Sequence, residues 1–406
     1  MLTRRRFLGY GAAGVSFVSL AGGMPRLLAR AAQESAAADL SDQVLVVIEL
    51  AGGNDGLNTL VPFEDPLYYQ NRPTLGIPKE EVIRLSDQAG LHPRMAGLGN
   101  LYQEGRLAVV QGVGYPQPDR SHFRSMEIWH TASVSPSAPR TGWLGRALDA
   151  APPPSAEVLP GLSLTGSLPQ AFLADKTIVP VVAQLDNLAA AGEEASAKDK
   201  LLRRLSTSAA AQAGPVAFMR DQAQAVYRAA ERLQQAAARY KSDVAYPDTG
   251  LGQQLRRAAQ IIAADLDVRV MFASQDGYDT HSEQSAGHGA LLEDLSGSLS
   301  AFQADLTGLG LGGKVATMVF SEFGRRVDEN GSRGTDHGAA STMFVLGEKV
   351  KGGLFGTYPS LAELGDGDLI HTTDFRSVYT CLLNGWLGCP ADKLLGESFP
   401  PLELLG

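Results

Sequence analysis

Five short polar clusters carry the side chains able to do chemistry: Gly53-Asn54-Asp55-Gly56, Asp119-Arg120-Ser121-His122, Asp279-Thr280-His281, Ser321-Glu322-Phe323-Gly324-Arg325 and Thr335-Asp336-His337-Gly338. Carboxylates and imidazoles are the donors that hard and borderline divalent cations take. Each cluster follows an apolar, β-branched run, so each reads as the exit loop of a buried strand. In an open α/β sheet such loops converge on one crevice, and ligands far apart in sequence meet there.

Asp336-His337 is the sharpest pair, since Gly334 and Gly338 leave the backbone free to fold a tight ligand loop. Read alone, it is a surface acid with a histidine in a turn; the recurrence of Asp279-x-His281 and of Asp55 at other strand ends argues for ligands. Ser121 has two readings. It is a nucleophile or anion anchor at a helix N-terminus, or it is simply the residue that caps that helix. His122 beside it is a ligand or supports one. Glu322 and Arg325 read as a ligand or supporting carboxylate with an oxyanion-binding guanidinium, or as a salt bridge at a strand end. No Gly-x-Ser-x-Gly elbow occurs, and Gly308-x4-Gly313-Lys314 is no phosphate loop, because Val315 stands where Ser or Thr is required.

These clusters need a scaffold, and the periodicity supplies one. Apolar runs at 43–50, 106–113, 162–164, 178–183, 268–273, 314–320 and 341–347 predict strands. Helical spacing appears over 92–104, 122–132, 291–306 and 375–387, the last opened by Thr372-Thr373-Asp374. Alternation of this kind predicts an α/β fold, a doubly wound, mostly parallel sheet with helices on both faces. Residues 40–400 read as a single domain. An alanine-rich stretch at about 186–265 reads as a helical insertion or lid, with a coiled-coil partner surface as the alternative.

The termini and composition set the setting. Thr3-Arg4-Arg5-Arg6-Phe7-Leu8 before a mild apolar run resembles a twin-arginine export signal covering residues 1–31, with Ala29-Arg30-Ala31 as the cleavage site. A short membrane anchor or a chance arginine run is the alternative. The signal implies passage through the twin-arginine translocase in the folded state and a periplasmic or secreted protein. Residues 1–31 hold five arginines and no acid, so cleavage moves the formal charge from −9 to −14. So acidic a chain is a poor nucleic-acid binder. No later apolar stretch reaches spanning length, so no stable membrane span is expected after cleavage. Cys381 and Cys389 are not expected to pair, being too far apart along one helix.

Taken in order with Gly277-Tyr278 and Thr372-Thr373-Asp374-Phe375-Arg376, the five clusters resemble the DUF1501 family over residues 43 to about 390. That family looks like a distant branch of the alkaline phosphatase and sulfatase superfamily. The resemblance implies an alkaline-phosphatase-like fold and one or two divalent metal ions. The histidines favour zinc or manganese, with calcium or magnesium also open. It also implies an anionic substrate, small or polymeric. By the same resemblance Asp55 matches the first-strand metal ligand, Ser121 the metal-activated nucleophile, and Asp336 with His337 the pair completing that shell. Asp279 and His281 match ligands of the other metal. The expected function is an exported metal-dependent hydrolase of phosphate or sulfate esters. The alternative is a non-catalytic cell-envelope binding or assembly protein with a degenerate site.

Overall fold

The computed structural model describes residues 42–137, 139–151, 160–181, 232, 235 and 240–406. The export signal and most of the alanine-rich stretch lie outside them. A central sheet holds the molecule together. Its strands are β1 (Val44–Ala51), β2 (Leu107–Gly114), β3 (Gly161–Ser163), β4 (Val270–Asp276), β5 (Val315–Phe320), β6 (Ser341–Leu346), β7 (Gly353–Phe355) and β8 (Thr373–Asp374). Their spatial order is β7-β2-β6-β5-β1-β4-β3, with β8 beside β2. All pairings are parallel except those of β6, which runs against both β2 and β5.

Both faces of the sheet are covered, as expected. Along β1 the side chains alternate. Val46, Ile48 and Leu50 enter a core shared with Leu98 and Leu101 of α3 (Ala96–Gln103), Leu255 of α6 (Gly250–Ala263), and Leu292, Leu295 and Phe302 of α7 (Gln284–Gly308). Leu45 and Val47 enter the opposite core with Trp129 of α4 (His122–Thr131), Leu144 of α5 (Trp143–Ala150) and Tyr379 of α8 (Phe375–Gly385). A period of two with both faces apolar is what a doubly covered strand requires. Two short helices follow β1, α1 (Gly56–Thr59) and α2 (Pro66–Asn71).

The structure departs from the sequence expectations in three places. Residues 178–183 form no strand among the described residues, only an isolated bridge between Val181 and Ser163. The helix expected at 291–306 begins at Gln284, because its first two turns bury the polar Gln284 and His288, which an apolar count passes over. The helix expected from His92 begins at Ala96. Of the alanine-rich stretch, the described part contains α6, which packs on α7 and β4. Cys381 and Cys389 are both free and buried.

Candidate metal centre

One edge of the sheet gathers the polar clusters. Because β1, β4 and β5 run parallel, and β2 shares their direction through the antiparallel β6, their exit loops leave on the same side. The Asp336-His337 loop precedes a strand instead of following one, yet arrives at the same edge because β6 runs in reverse. A lone antiparallel bridge between Arg325 and His337 ties it there. Gly52 takes a φ of +120°, and a Cβ on it would strike the Asp279 backbone. Only glycine lets the β1 loop approach the Asp279 loop so closely.

His122 lies in the first turn of α4, whose Trp129 stacks on Phe375 and Phe320 at 4.3 and 5.3 Å. That clamp fixes the helix and holds His122 over the sheet edge. Phe323 packs against the rings of both His122 and His337, at 4.9 and 4.8 Å, and these two rings meet each other at 4.4 Å.

Three imidazoles and one carboxylate converge there. His337 Nε2 lies 3.1 Å from Asp279 Oδ1 and 3.0 Å from His281 Nε2; His281 Nε2 is itself 3.0 Å from Asp279 Oδ1. His122 Nε2 lies 3.6 Å from Asp279 Oδ2. Donor atoms of His122, Asp279 and His337 all fall within 4.8 Å of one another.

The opposite ring nitrogens each face an acceptor. His122 Nδ1 meets Glu322 Oε1 at 2.8 Å, His337 Nδ1 meets the Arg120 carbonyl at 2.8 Å, and His281 Nδ1 meets Asp336 Oδ1 at 3.2 Å. A carbonyl or carboxylate only accepts, so each Nδ1 carries a proton and Nε2 is the ring atom left to meet a cation beside Asp279. This is the outer hydrogen bonding that metal-bound histidines show. Three Nε2 atoms and a carboxylate are ligand types that divalent ions take, so the donor set fits such an ion.

The electrostatics agree with anionic Asp279. Burial alone would raise its pKa, but hydrogen bonds from Arg325 and His337 and the charge of Arg325 carry it down to about 2. The hydrogen bond to Glu322 raises the pKa of His122 against an opposing effect of burial. Asn330 and His281 hydrogen bonds lower that of Asp336.

Other expected residues stand differently. Asp55 is fully buried and its carboxylate is bound by Arg72 and Gln284, so it does not enter the cluster. Arg325 faces inward instead of toward an open oxyanion position. Its donors go to the carbonyls of Gly52, Gly53, Tyr278 and Thr335 and to Asp279 Oδ1 at 2.8 Å. Asp336 and Glu322 reach the cluster through the imidazoles of His281 and His122. Ser121 is exposed at the N-terminus of α4, and its side chain makes no capping hydrogen bond. Its N–H donates to Asp119 Oδ1 at 2.8 Å.

The sequence reading missed Arg72, Gln284 and Asn330, which lie outside the five motifs and carry no ligand-like spacing. It also missed a cavity of about 720 Å³ beside the cluster, lined by Asp119, Arg120, Asp366, Asp368, Ile370 and His371 among others. Arg120 joins the two: its carbonyl orients His337, and its guanidinium grips Asp368 at 2.5 Å and Asp366 at 2.9 Å.

Among solved structures, the chain is similar to the PsFucS1 sulfatase from Pseudoalteromonas sp., at 13% identity and a TM-score of 0.40, covering 92% of this chain and 76% of that one. It is similar to Ps i-CgsB in complex with k-i-k-neocarrahexaose at 7% identity and a TM-score of 0.38, covering 88% and 73%. It is also similar to the phosphonate monoester hydrolase SpPMH from Silicibacter pomeroyi at 12% identity and a TM-score of 0.32, covering 89% and 78%. Likeness at this level leaves the chemistry to the side chains. No curated protein matches the sequence. A family model described as "Protein of unknown function (DUF1501)" matches residues 42–383, and the chain belongs to that family.

Proposed function

We propose that the protein is an exported metal-dependent hydrolase of phosphate or sulfate esters, with Ser121 as its nucleophile. The observation that carries the reading is the set of three imidazoles, each held at Nδ1 and each turning Nε2 toward Asp279. A divalent ion held by these donors, zinc or manganese by their chemistry, supplies Lewis acidity toward ester oxygens.

The chain's own groups do the rest. Glu322, Asp336 and the Arg120 carbonyl keep the imidazoles in one tautomer and orientation, and Arg325 keeps Asp279 ionised. Ser121 has a hydroxyl not spent on its helix, and the free N–H groups opening α4 favour an anionic group beside it. Its Oγ attacks phosphorus or sulfur, the bond to the alcohol breaks, and the alcohol departs with the serine proton. Water then cleaves the serine ester, releasing phosphate or sulfate and restoring the hydroxyl. The cavity beyond Arg120 has room for the alcohol portion of a small or polymeric substrate.

Turnover of aryl phosphate and aryl sulfate esters by zinc- or manganese-loaded protein tests this. Activity toward either class that disappears in both Ser121→Ala and Asp279→Ala is expected; equal activity in wild type and both variants would refute it. The closure of Asp55 favours a second reading, a cell-envelope binding or assembly protein, and metal binding without turnover of either ester would favour that one over the hydrolase. Export through the twin-arginine translocase to the periplasm or beyond rests on Thr3 to Leu8. Arg4→Lys with Arg5→Lys is expected to leave the protein unexported in cell fractions. Among the described residues no helix is long and apolar enough to cross a membrane.

A further inference from the structure

The position where the resemblance implies a metal ligand, Asp55, does not fit a metal. Its Oδ2 accepts from Arg72 Nη1 at 2.5 Å and from Gln284 Nε2 at 2.5 Å. Its Oδ1 accepts from the N–H groups of Leu57 and Asn58 at 3.2 and 3.4 Å, so the carboxylate also caps α1. Both oxygens are claimed, and neither side chain of the ion pair is exposed.

Arg72 is committed as fully as its partner. Nε donates to the Val327 carbonyl at 3.0 Å, Nη2 to the Arg326 carbonyl at 2.9 Å, and Nη1 also to Asn58 Oδ1 at 2.9 Å. Gln284 extends the network toward the cluster, accepting at Oε1 from the hydroxyls of Thr335 and, at 3.0 Å, Thr280. Those threonines precede Asp336 and His281. The guanidinium therefore holds three segments in register, α1, α2 with its exit, and the loop leading from Arg325 to Asp336.

We propose that Arg72 is the built-in cation of this site, standing where a second metal would otherwise balance Asp55, so that the chain binds a single divalent ion, at His122, Asp279, His281 and His337. The proposal rests on the reading of that cluster as a metal centre. An ion at Asp55 would have to displace a guanidinium that cannot shed its proton and has no route to water, leaving a permanent charge buried without its partner. Arginine's planar fork also fixes directions that a spherical ion with exchangeable ligands does not, which suits a position that must hold shape as well as charge.

The test is equilibrium dialysis of the full chain against zinc or manganese alone, read by elemental analysis. One ion per chain is expected in the wild type and in a folded Asp55→Asn protein, at the same affinity, because neither oxygen of Asp55 is open to an ion. His337→Ala is expected to hold none at the same concentration. Two ions per wild-type chain would overturn the proposal, as would a tenfold or greater loss of affinity in a folded Asp55→Asn protein. The wild-type count decides by itself if that variant does not fold. Absence of any bound ion overturns the metal-centre reading together with this proposal, whereas two ions overturn this proposal alone.

Discussion

Asp55 and Asp279 are the same residue type in the same kind of place, a glycine-bounded loop leaving a parallel strand, and the fold treats them in opposite ways. Asp55 is fully buried, bound on both oxygens and matched by Arg72. Asp279 is 49% exposed at the side chain, with Arg325 behind it and three imidazole nitrogens in front. The difference teaches what would let a strand-end acid serve as a ligand. The acid must be held ionised from one side while the groups facing it from the other are ones that can take up a cation. Arg72 closes Asp55, whereas Arg325 braces Asp279 and leaves its front open.

The two regions should therefore fail in different ways. Arg72→Ala strands a buried carboxylate, and a loss of about 3–5 kcal/mol of stability is expected. Denaturant unfolding measures it, and a loss below about 1 kcal/mol would mean that the pair is not shielded as the structure has it. His337→Ala should do the reverse, leaving stability of the metal-free protein close to wild type while lowering metal affinity by more than about 100-fold, since a ligand is worth more than its outer partner. Titration with a competing chelator reads that change.

Glu322→Gln sharpens the contrast further. The amide still accepts from His122 but no longer supplies a charge, and affinity should fall by about 10–100-fold with His122 itself intact. A result indistinguishable from wild type would remove Glu322 from the account of the centre.

The smallest effect is one of pH. His92 and His288 lie beside the Asp55 network, and burial lowers both to about 4. His288 also hydrogen bonds Asn54 Oδ1 at 2.9 Å. A histidine whose folded pKa is depressed lends stability above its unfolded value near 6.5, and loses it as pH falls toward 4. At pH 5.5 the loss amounts to about 1 kcal/mol for each. Melting temperature should fall through this window, and less steeply in His288→Gln; parallel profiles would refute the assignment.

How much of this was legible in the sequence follows the same division. The longer strands of the central sheet, β1, β2, β4, β5 and β6, were readable because burial on both faces leaves unbroken apolar runs, whereas the short β7 and β8 were not, and every cluster but Asp55 delivers a side chain to one edge. The direction of β6 was not, since an apolar run reads the same in either sense, and with it went the reason that a loop before a strand joins loops after strands. Asp55 was legible as an acid in the right kind of loop. What could not be read was Arg72, which meets it 17 residues on, past two short helices that give no periodic signal. Nor does a motif tell whether Arg325 aims outward or gives its donors to four carbonyls. Residue types announce capacity for chemistry, and the tertiary partners decide which capacity is used.

The central claim is that a divalent ion sits among Nε2 of His122, His281 and His337 and the carboxylate of Asp279. A crystal of the zinc-loaded protein, with anomalous difference density measured at the zinc edge, tests it most directly. A single peak about 2.0–2.2 Å from those nitrogens and from an Asp279 oxygen is predicted. A peak against Asp55 with Arg72 displaced, or none at the histidines, would contradict it.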